Sequence, residues 1–274
     1  MSTEEQVASH YTRGSLEATI LGGLTASGKD IEHLSIDDLA GVDEFHLGRR
    51  EATVEFAKDL DLLDGMRLID IGSGIGGSAR YIASEYGCIV TGVDLTEEFV
   101  NVANALTARC GMTMQVSFHQ ASALALPFAD ESFERATLIH VGMNIEDKAS
   151  LFAEIRRVLK RGGRFGLYEI MQVRDGAVPY PMPWAMTPET SFVCSPMTYR
   201  QLLKGAGFTV EFEQDRSALA IRMAQEMRAS AANGGQGLSL GALMGPRAAE
   251  RMGNVSTSVG GGLLAPIEMV AKAD

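Results

Sequence analysis

A glycine-rich run with one carboxylate inside it and another a short distance beyond is the chain's clearest chemical feature. The run is Leu68-Ile-Asp-Ile-Gly-Ser-Gly-Ile-Gly-Gly77, which lies between an apolar stretch and a helical one. Glycine allows a sharp turn and a close approach to a ligand, and free N–H groups at a helix start bind polar ligand atoms. Asp94 follows Gly72 by 22 residues, where an acid accepts bonds from two ribose hydroxyls. The predicted cofactor contacts are Asp70, Gly72, Ser73, Gly74, Gly76, Asp94 and Leu95.

Two cofactor classes compete for this run. Gly72, Gly74 and Gly77 satisfy the G-x-G-x-x-G spacing, so a nucleotide-dependent oxidoreductase remains an alternative. Asp70 lies two residues before Gly72, inside the expected strand. A carboxylate at that point suits a cofactor with a cationic amino-acid end better than it suits a pyrophosphate. Asp70 therefore favours a cofactor with a cationic amino-acid end over a dinucleotide.

Two histidines are candidates for catalysis. His140 ends a predicted strand at the sheet edge where ligands bind in doubly wound folds, and it is expected to contact cofactor or substrate. It could act as a general base, position the substrate, or simply bond the backbone at the strand end. His46 lies in the loop 41–48 and is expected to touch substrate or cofactor.

Aromatic side chains of a proline-rich segment are candidates for the wall of a substrate pocket. Five prolines fall within residues 176–196, and Trp184 and Phe192 lie among them. An aromatic face holds a cationic group with about 0.5–2 kcal/mol, although ordinary loop packing is the alternative. Further expected substrate contacts are Met143, Glu169 and Arg200.

Short apolar runs alternating with helical segments position these residues. Such alternation predicts βαβ units and a mainly parallel, doubly wound α/β sheet. The predicted strands are Met66–Ile71, Cys88–Val93, Met114–His119, Phe133–His140, Arg164–Met171, Phe208–Phe212 and Pro266–Ala271. The predicted helices include Ala79–Tyr86, Glu97–Arg109 and Lys148–Leu159.

The chain divides into four predicted parts. Residues 1–64 form a helical cap, in which Leu16, Ile20 and Leu24 share one face. Residues 65–214 form the cofactor-binding core, including the substrate loop 174–196. Residues 215–262 form a helical lid with a flexible glycine-rich centre at 233–237, and residues 263–274 hold the last strand. The segments 1–48 and 176–262 are expected to close over the strand ends as a mobile lid.

The charge, the cysteines and the apolar runs of the chain limit the classes of partner that it could bind. The net charge of −11 and the absence of a basic cluster argue against nucleic acid. Three separated cysteines indicate reduced thiols in a cytoplasmic protein and no metal site. The first residues lack the features of a signal peptide, and no apolar run is long enough for a membrane span. The partner expected is a small-molecule substrate, and a homodimer is left open.

Two further motifs carry a family resemblance. Leu126-Pro-Phe-Ala-Asp-Glu-Ser-Phe133 and Arg157-Val-Leu-Lys-Arg-Gly-Gly-Arg164, taken with Asp70 and the glycine-rich run, resemble class I S-adenosylmethionine methyltransferases. Within them the chain is similar to the sarcosine/dimethylglycine, phosphoethanolamine and tocopherol group. The residues that carry this are Asp43-Glu-Phe-His-Leu-Gly48, His140-Val-Gly-Met-Asn-Ile-Glu-Asp-Lys148 and Pro181-Met-Pro-Trp-Ala185.

The resemblance implies a seven-stranded Rossmann-like sheet, S-adenosylmethionine as cofactor and S-adenosylhomocysteine as product. It implies methyl transfer to a small molecule, such as the amines glycine, sarcosine or dimethylglycine. O-, S- or C-methylation of a secondary metabolite and a non-catalytic cofactor-binding protein are alternatives. Tyr11 resembles the active-site tyrosine of the phosphoethanolamine enzymes in location, which makes it a third catalytic candidate.

One departure from the family falls at the adenine end of the expected site. Gln120-Ala-Ser-Ala123 has Ser122 where the family usually has an aspartate that holds the adenine amino group. A serine can bond adenine without charge assistance. Ser122 and Ala123 are therefore the expected adenine contacts, with weaker binding than usual.

Overall fold

Seven strands form one sheet in a computed structural model that describes residues 2–232, Met244 and residues 247–274. The strand order is β3-β2-β1-β4-β5-β7-β6, with β7 antiparallel to both of its neighbours and the remaining pairs parallel. The predicted doubly wound, mostly parallel seven-stranded sheet is confirmed. The strands are β1 (Arg67–Ile71), β2 (Ile89–Asp94), β3 (Val116–Gln120), β4 (Phe133–Ile139), β5 (Leu159–Gln172), β6 (Phe208–Asp215) and β7 (Leu264–Ala273).

Helices cover both faces of the sheet and its carboxyl edge. The helices are α1 (Thr3–Tyr11), α2 (Leu16–Ala26), α3 (Ile36–Leu39), α4 (Arg49–Lys58), α5 (Gly77–Tyr86), α6 (Glu97–Arg109), α7 (Lys148–Val158), α8 (Pro196–Gly205), α9 (Ser217–Ala232) and α10 (Ala248–Gly260). Four of them, α1, α3, α7 and α8, begin at a residue whose side chain caps a free N–H group, as Asp147 does by accepting a bond from Ser150 N at 2.9 Å.

Two apolar layers hold the sheet between these helices. On one face, Phe152 of α7 and Leu203 of α8 pack against Phe165 of β5, all fully buried. On the other face, Phe56 of α4 and Ile82 of α5 belong to a second buried cluster. Fully burying side chains of this size contributes about 1.5–3 kcal/mol each. The rigid layers therefore fix where β1, β2 and β4 end, which is where the site lies.

Among the amino-terminal helices, α2 packs on α6, and α3 and α4 pack on α5. The predicted apolar face of α2 is confirmed, because Leu16, Ile20 and Leu24 are buried together with Val102 and Leu106 of α6. The chain returns from β6 to its neighbour β7 through α9 and α10, as the predicted insertion requires. The glycine-rich centre predicted at 233–237 lies outside the described residues.

The helices and the cysteines bear on two expectations from the sequence, a membrane span and disulfide pairing. No helix within the described residues has the length and apolar character needed to cross a membrane. Cys88 is buried, Cys110 and Cys194 are partly buried, and none of the three is paired in a disulfide among the residues that the structure describes.

Candidate functional site

The glycine-rich turn between β1 and α5 forms one wall of a cavity of about 360 Å³ at the carboxyl edge of the sheet. Gly72 has φ +69°, and a Cβ there would lie 2.2 Å from Val141 Cγ2. Gly74 has φ +54°, lines the cavity, and has no described atom within 4 Å of where its Cβ would be. A side chain at Gly72 would meet protein, whereas a side chain at Gly74 would enter the space for a ligand.

Two carboxylates stand on either side of this turn. Asp94, at the end of β2, accepts bonds from Gly74 N at 2.9 Å and Thr96 N at 2.8 Å. Asp70, at 2% exposure, accepts a bond from Thr137 Oγ1 at 2.7 Å. Burial raises the pKa of both groups, that of Asp70 to about 7. The cavity thus contains two acids that a cationic or hydroxyl-bearing ligand would stabilise in their charged form.

The end of β3 closes the cavity on its far side. Ala121, Ala123 and Leu124 line it, together with Leu95. Ser122 does not: its hydroxyl accepts a bond from Leu124 N at 3.1 Å and donates one to Glu4 Oε1 of α1. Glu4 itself lines the cavity. A carboxylate from the amino-terminal helix therefore stands beside Ser122, where the family pattern has an aspartate on the β3 loop.

His140 follows β4 and lines the cavity, but its ring bonds to the backbone. With φ +55°, it presents Nδ1 to Tyr168 O at 3.0 Å, and Nε2 accepts a bond from Leu47 N at 3.3 Å. Burial lowers the pKa of His140 to about 3, with a further contribution from His46. A base that weak does not take a proton near neutral pH. The geometry agrees with the alternative of a strand-end histidine bonded to the backbone.

His46 belongs to a buried polar group in the loop before α4. Its Nε2 lies 3.1 Å from Glu44 Oε2 and 3.1 Å from Thr53 Oγ1, and its Nδ1 lies 3.2 Å from Leu47 O. Burial opposes ionisation of Glu44, but the hydrogen bond from His46, Arg50 and Thr53 together lower the pKa of Glu44 to about 2. A charged Glu44 thus fixes the orientation of the His46 ring.

Tyr11 connects three segments that are distant in sequence. Its hydroxyl donates to Asn144 Oδ1 at 3.0 Å, and Asn144 Nδ2 donates to Trp184 O at 2.9 Å. Burial raises the pKa of Tyr11, so the phenol stays protonated. The chain of bonds holds α1, the turn after β4 and the proline-rich segment together around the site.

A second, smaller cavity of about 50 Å³ lies beyond the two histidines. No Asp, Glu, Lys or Arg lines it among the residues that the structure describes. Trp184 closes one side, and its indole nitrogen donates to Ser191 Oγ at 2.9 Å, facing away from solvent at 4% exposure. The lining residues are Tyr11, Phe45, His46, Leu47, His140, Met143, Ile170, Pro183, Trp184, Met244, Met252 and Val255.

Four residues expected at the site lie elsewhere. Gly76 starts α5, where a Cβ would lie 2.4 Å from Phe118 Cζ, so its constraint comes from packing. Arg200 is on the surface, paired with Glu213 at 2.7 Å. The expectations that Gly76 would contact cofactor and that Arg200 would contact substrate are therefore corrected.

Glu169 and Phe192 also lie outside both cavities, behind the turn after β4. Glu169 accepts a bond from Val141 N at 2.9 Å, and burial raises its pKa to about 7. Phe192 N donates to Met143 O at 2.8 Å. Each supports the turn that carries Asn144, so their expected role as substrate contacts is corrected to support of the wall.

Sequence reasoning missed Glu4, Glu44 and Asn144. Glu44 and Asn144 fall inside the stretches that carry the family resemblance, which is the sequence signal that could have singled them out, whereas their burial is visible only in the structure. Glu4 gives no such signal, because it lies in an ordinary acidic first helical turn.

Comparison with known proteins agrees with this geometry. A family model described as a methyltransferase domain matches residues 69–167. O-methyltransferase rstn1 of Aspergillus nomiae is 30% identical over 190 residues, which covers 68% of this chain and 83% of that protein. The first curated relatives are longer proteins, since the matches cover 35% and 30% of the lengths of the first two.

Solved structures share the fold. The [4+2]-cyclase SpnF superposes with a TM-score of 0.70 and 22% identity over 99% of this chain and 97% of that chain. A protein from Galdieria sulphuraria assigned as a sarcosine dimethylglycine methyltransferase superposes with a TM-score of 0.64 and 17% identity, over 81% of this chain and 84% of that chain.

The chain belongs to the S-adenosylmethionine-dependent methyltransferase family, as its motifs predicted. The cofactor of that family is S-adenosylmethionine, as the sequence predicted.

Proposed function

We propose that this protein transfers a methyl group from S-adenosylmethionine to a small molecule with an apolar body. The observation that carries the proposal is the pair of cavities that share Tyr11, His46 and His140 in their linings. The larger one is lined by the glycine turn, Asp70 and Asp94, and the smaller one has an apolar wall. The first has the groups that the cofactor needs. The second has the surface that an apolar acceptor needs.

The order of the strands supports an orientation for the cofactor. Asp70 on β1 accepts its amino group, Asp94 on β2 accepts its ribose hydroxyls, and Ala123 after β3 flanks its adenine, because β1, β2 and β3 are successive neighbours. Gly72, Ser73, Gly74 and Leu95 complete the wall. The buried hydroxyl of Ser73 has no partner among the described residues, which suits a polar ligand atom nearby.

When bound, the cofactor supplies an electrophilic methyl group on a cationic sulfur, and its departure needs no proton from the protein. The residues then act by alignment and exclusion of water. Tyr11, His46 and His140 lie between the two cavities, where a nucleophile would approach. Both nitrogens of the His46 ring face protein acceptors, Glu44 Oε2 and Leu47 O, and both nitrogens of the His140 ring bond to the backbone. The two rings are therefore placed to contact and orient the acceptor and not to take its proton.

The lining of the second cavity favours neutral acceptors over amino acids. Glycine, sarcosine or dimethylglycine each carry a carboxylate that would lack a cationic partner in the smaller cavity, within the part of the chain described. Met143, Trp184 and Met252 instead provide an adaptable apolar surface. An O- or C-acceptor with an apolar skeleton therefore ranks before the amines.

Two measurements test the proposal. Calorimetric titration with S-adenosylhomocysteine and with NAD should give micromolar or tighter binding for the first only. A screen that follows S-adenosylhomocysteine release should then find turnover with apolar phenols, alcohols or enolisable carbonyl compounds, and little with glycine, sarcosine or dimethylglycine. Turnover confined to the amines would overturn the acceptor assignment, and binding of NAD alone would overturn the cofactor.

A second candidate is a reaction in which the cofactor is bound but no methyl group moves. It is favoured by one observation, the match over almost the whole chain to a protein named as a cyclase. Tight cofactor binding with no S-adenosylhomocysteine release from any acceptor would support it. The cytoplasmic location and the homodimer remain predictions from the sequence.

A further inference from the structure

The amino-terminal helix places a carboxylate at the adenine end of the larger cavity. Glu4 lines that cavity beside Ala121, Ala123 and Leu124, and its Oε1 accepts a bond from the Ser122 hydroxyl. The other oxygen, Oε2, has no partner among the described side chains and backbone groups. A charged acceptor is therefore available where the cofactor's adenine would lie.

Helix α1 is held in the position that this contact requires. Ser2 and Glu5 form a reciprocal capping box at its start, with Glu5 N donating to Ser2 Oγ at 3.2 Å. Just beyond its end, Glu98 of α6 accepts a bond from Leu16 N at 3.0 Å. With Tyr11 bonded to Asn144, the helix is fixed at its carboxyl end, and the bond between Ser122 and Glu4 itself docks its first turn. Glu4 is thus presented to the cavity by an ordered element.

We propose that Glu4 accepts the hydrogen bond of the adenine amino group and thereby takes the role that Ser122 cannot fill with a charge. Ser122 then acts as a positioning residue, because its hydroxyl donates to Glu4 and holds the carboxylate in place. The proposal rests on the cofactor assignment made above. It makes the amino-terminal helix part of the cofactor site, and it predicts that the protein distinguishes a 6-amino purine from a 6-oxo purine through Glu4.

The test compares two ligands by calorimetry on the full chain: S-adenosylhomocysteine and S-inosylhomocysteine, which has a 6-oxo group in place of the 6-amino group. The wild-type protein should bind the adenine compound more tightly. Glu4→Gln should lower the ratio of the two affinities about 10-fold or more, because a charge-assisted acceptor is lost and an amide donor faces the 6-oxo group. The matched control is Glu17→Gln on α2, an exposed acid outside both cavities, which should leave the ratio unchanged.

A second variant separates recognition from helix docking. Glu4→Gln combined with Ser122→Asp restores a carboxylate on the β3 loop and should recover most of the wild-type ratio. If Glu4 only docks the helix, Glu4→Gln weakens both ligands equally and the ratio stays as in the wild type, which overturns the proposal. If the wild-type protein binds neither compound, the cofactor assignment fails as well, and circular dichroism on each variant checks that the fold is kept.

Discussion

The two halves of the site are built in different ways. The cofactor half takes Asp70, the glycine turn, Asp94 and Ala123 from three neighbouring parallel strands within about one fifth of the chain. The acceptor half takes Tyr11, His46, Met143 and Trp184 from segments far apart in sequence. Packing joins these segments, and so do the bonds of Asn144 to Tyr11 and Trp184. The first half depends on local turns, and the second depends on how distant segments pack. Four predictions test that difference.

The largest effect is expected at Gly74. Gly74→Val would put a branched side chain into the cavity, so cofactor binding should be lost, by more than about 100-fold. Gly111→Val is the matched control, because Gly111 has φ +69° with open space around it and lies outside both cavities. Each variant carries about 1–2 kcal/mol or more of backbone strain. Calorimetry should find lost cofactor binding only for Gly74→Val, and the melting temperatures of the two variants should fall by similar amounts. Normal cofactor binding by Gly74→Val would show that the turn is not part of the site.

Asp94 should come next. Asp94→Ala removes the acceptor for the ribose hydroxyls and should weaken S-adenosylmethionine binding about 10- to 100-fold, since bonds to charged groups contribute about 1.5–3 kcal/mol each. Asp94 also accepts a bond from the backbone two residues on, and Asp215 makes the same bond to Ser217 N at 2.7 Å far from the cavity. Asp215→Ala therefore removes a bond of the same kind to the backbone without removing a contact to the cofactor. Equal cofactor affinity in Asp94→Ala and Asp215→Ala would contradict the ribose assignment.

The pH dependence of cofactor binding should identify Asp70. Burial raises its pKa to about 7, and a cationic ligand amino group favours the ionised form. Binding then releases a proton below that pH, so affinity should rise with pH and fall about 10-fold from pH 8 to pH 6. Asp70→Asn should flatten this profile.

Glu169 provides the control for that profile. Its pKa is also raised to about 7 by burial, but it lies outside both cavities. Glu169→Gln should leave the pH dependence of cofactor affinity in place. A profile that is unchanged in Asp70→Asn and flattened in Glu169→Gln would reverse the assignment.

His140 should have the smallest effect on the chemistry. Because its pKa is about 3 and its ring bonds to the backbone, it should give no limb in the pH–rate profile near pH 6–7. His140→Ala should lower the free energy of unfolding by about 1–3 kcal/mol through unpaired backbone groups. His140→Asn, which tolerates the positive φ, should retain most activity. A rate loss of 100-fold with a missing limb in His140→Asn would restore the general-base hypothesis.

The sheet and its cofactor edge were predictable because their signals are local. Apolar runs alternating with helices predicted all seven strands, and the bounds of β1, β2 and β4 differ from the prediction by at most one residue at either end. The bounds of β5 and β6 were predicted too short: β5 starts at Leu159 instead of Arg164, and β6 ends at Asp215 instead of Phe212. β3 starts at Val116 instead of Met114. Asp70, Gly74 and Asp94 line the cavity as expected, because parallel neighbours end at one edge. Gly76 looked equivalent to Gly74 in the motif, but it packs on Phe118.

The acceptor side could not be predicted in the same way. Arg200 and Phe192 had suitable chemistry, yet Arg200 lies on the surface of α8 paired with Glu213, and Phe192 lines neither cavity. Nothing near Glu44 in sequence predicts that it is buried against His46 and charged. These outcomes depend on long-range packing.

The sequence by itself determined the fold class and the cofactor residues at the carboxyl ends of the first two strands, because glycine conformation and hydrophobic periodicity act over a few residues. Its motifs also carried the resemblance that indicated the family. Tertiary structure alone decided that His140 is a weak base held by the backbone, that the acceptor space is apolar, and that Glu4 stands beside Ser122. The physical reason is that burial and hydrogen-bond partners set the charge of a side chain, and both come from residues distant in the chain.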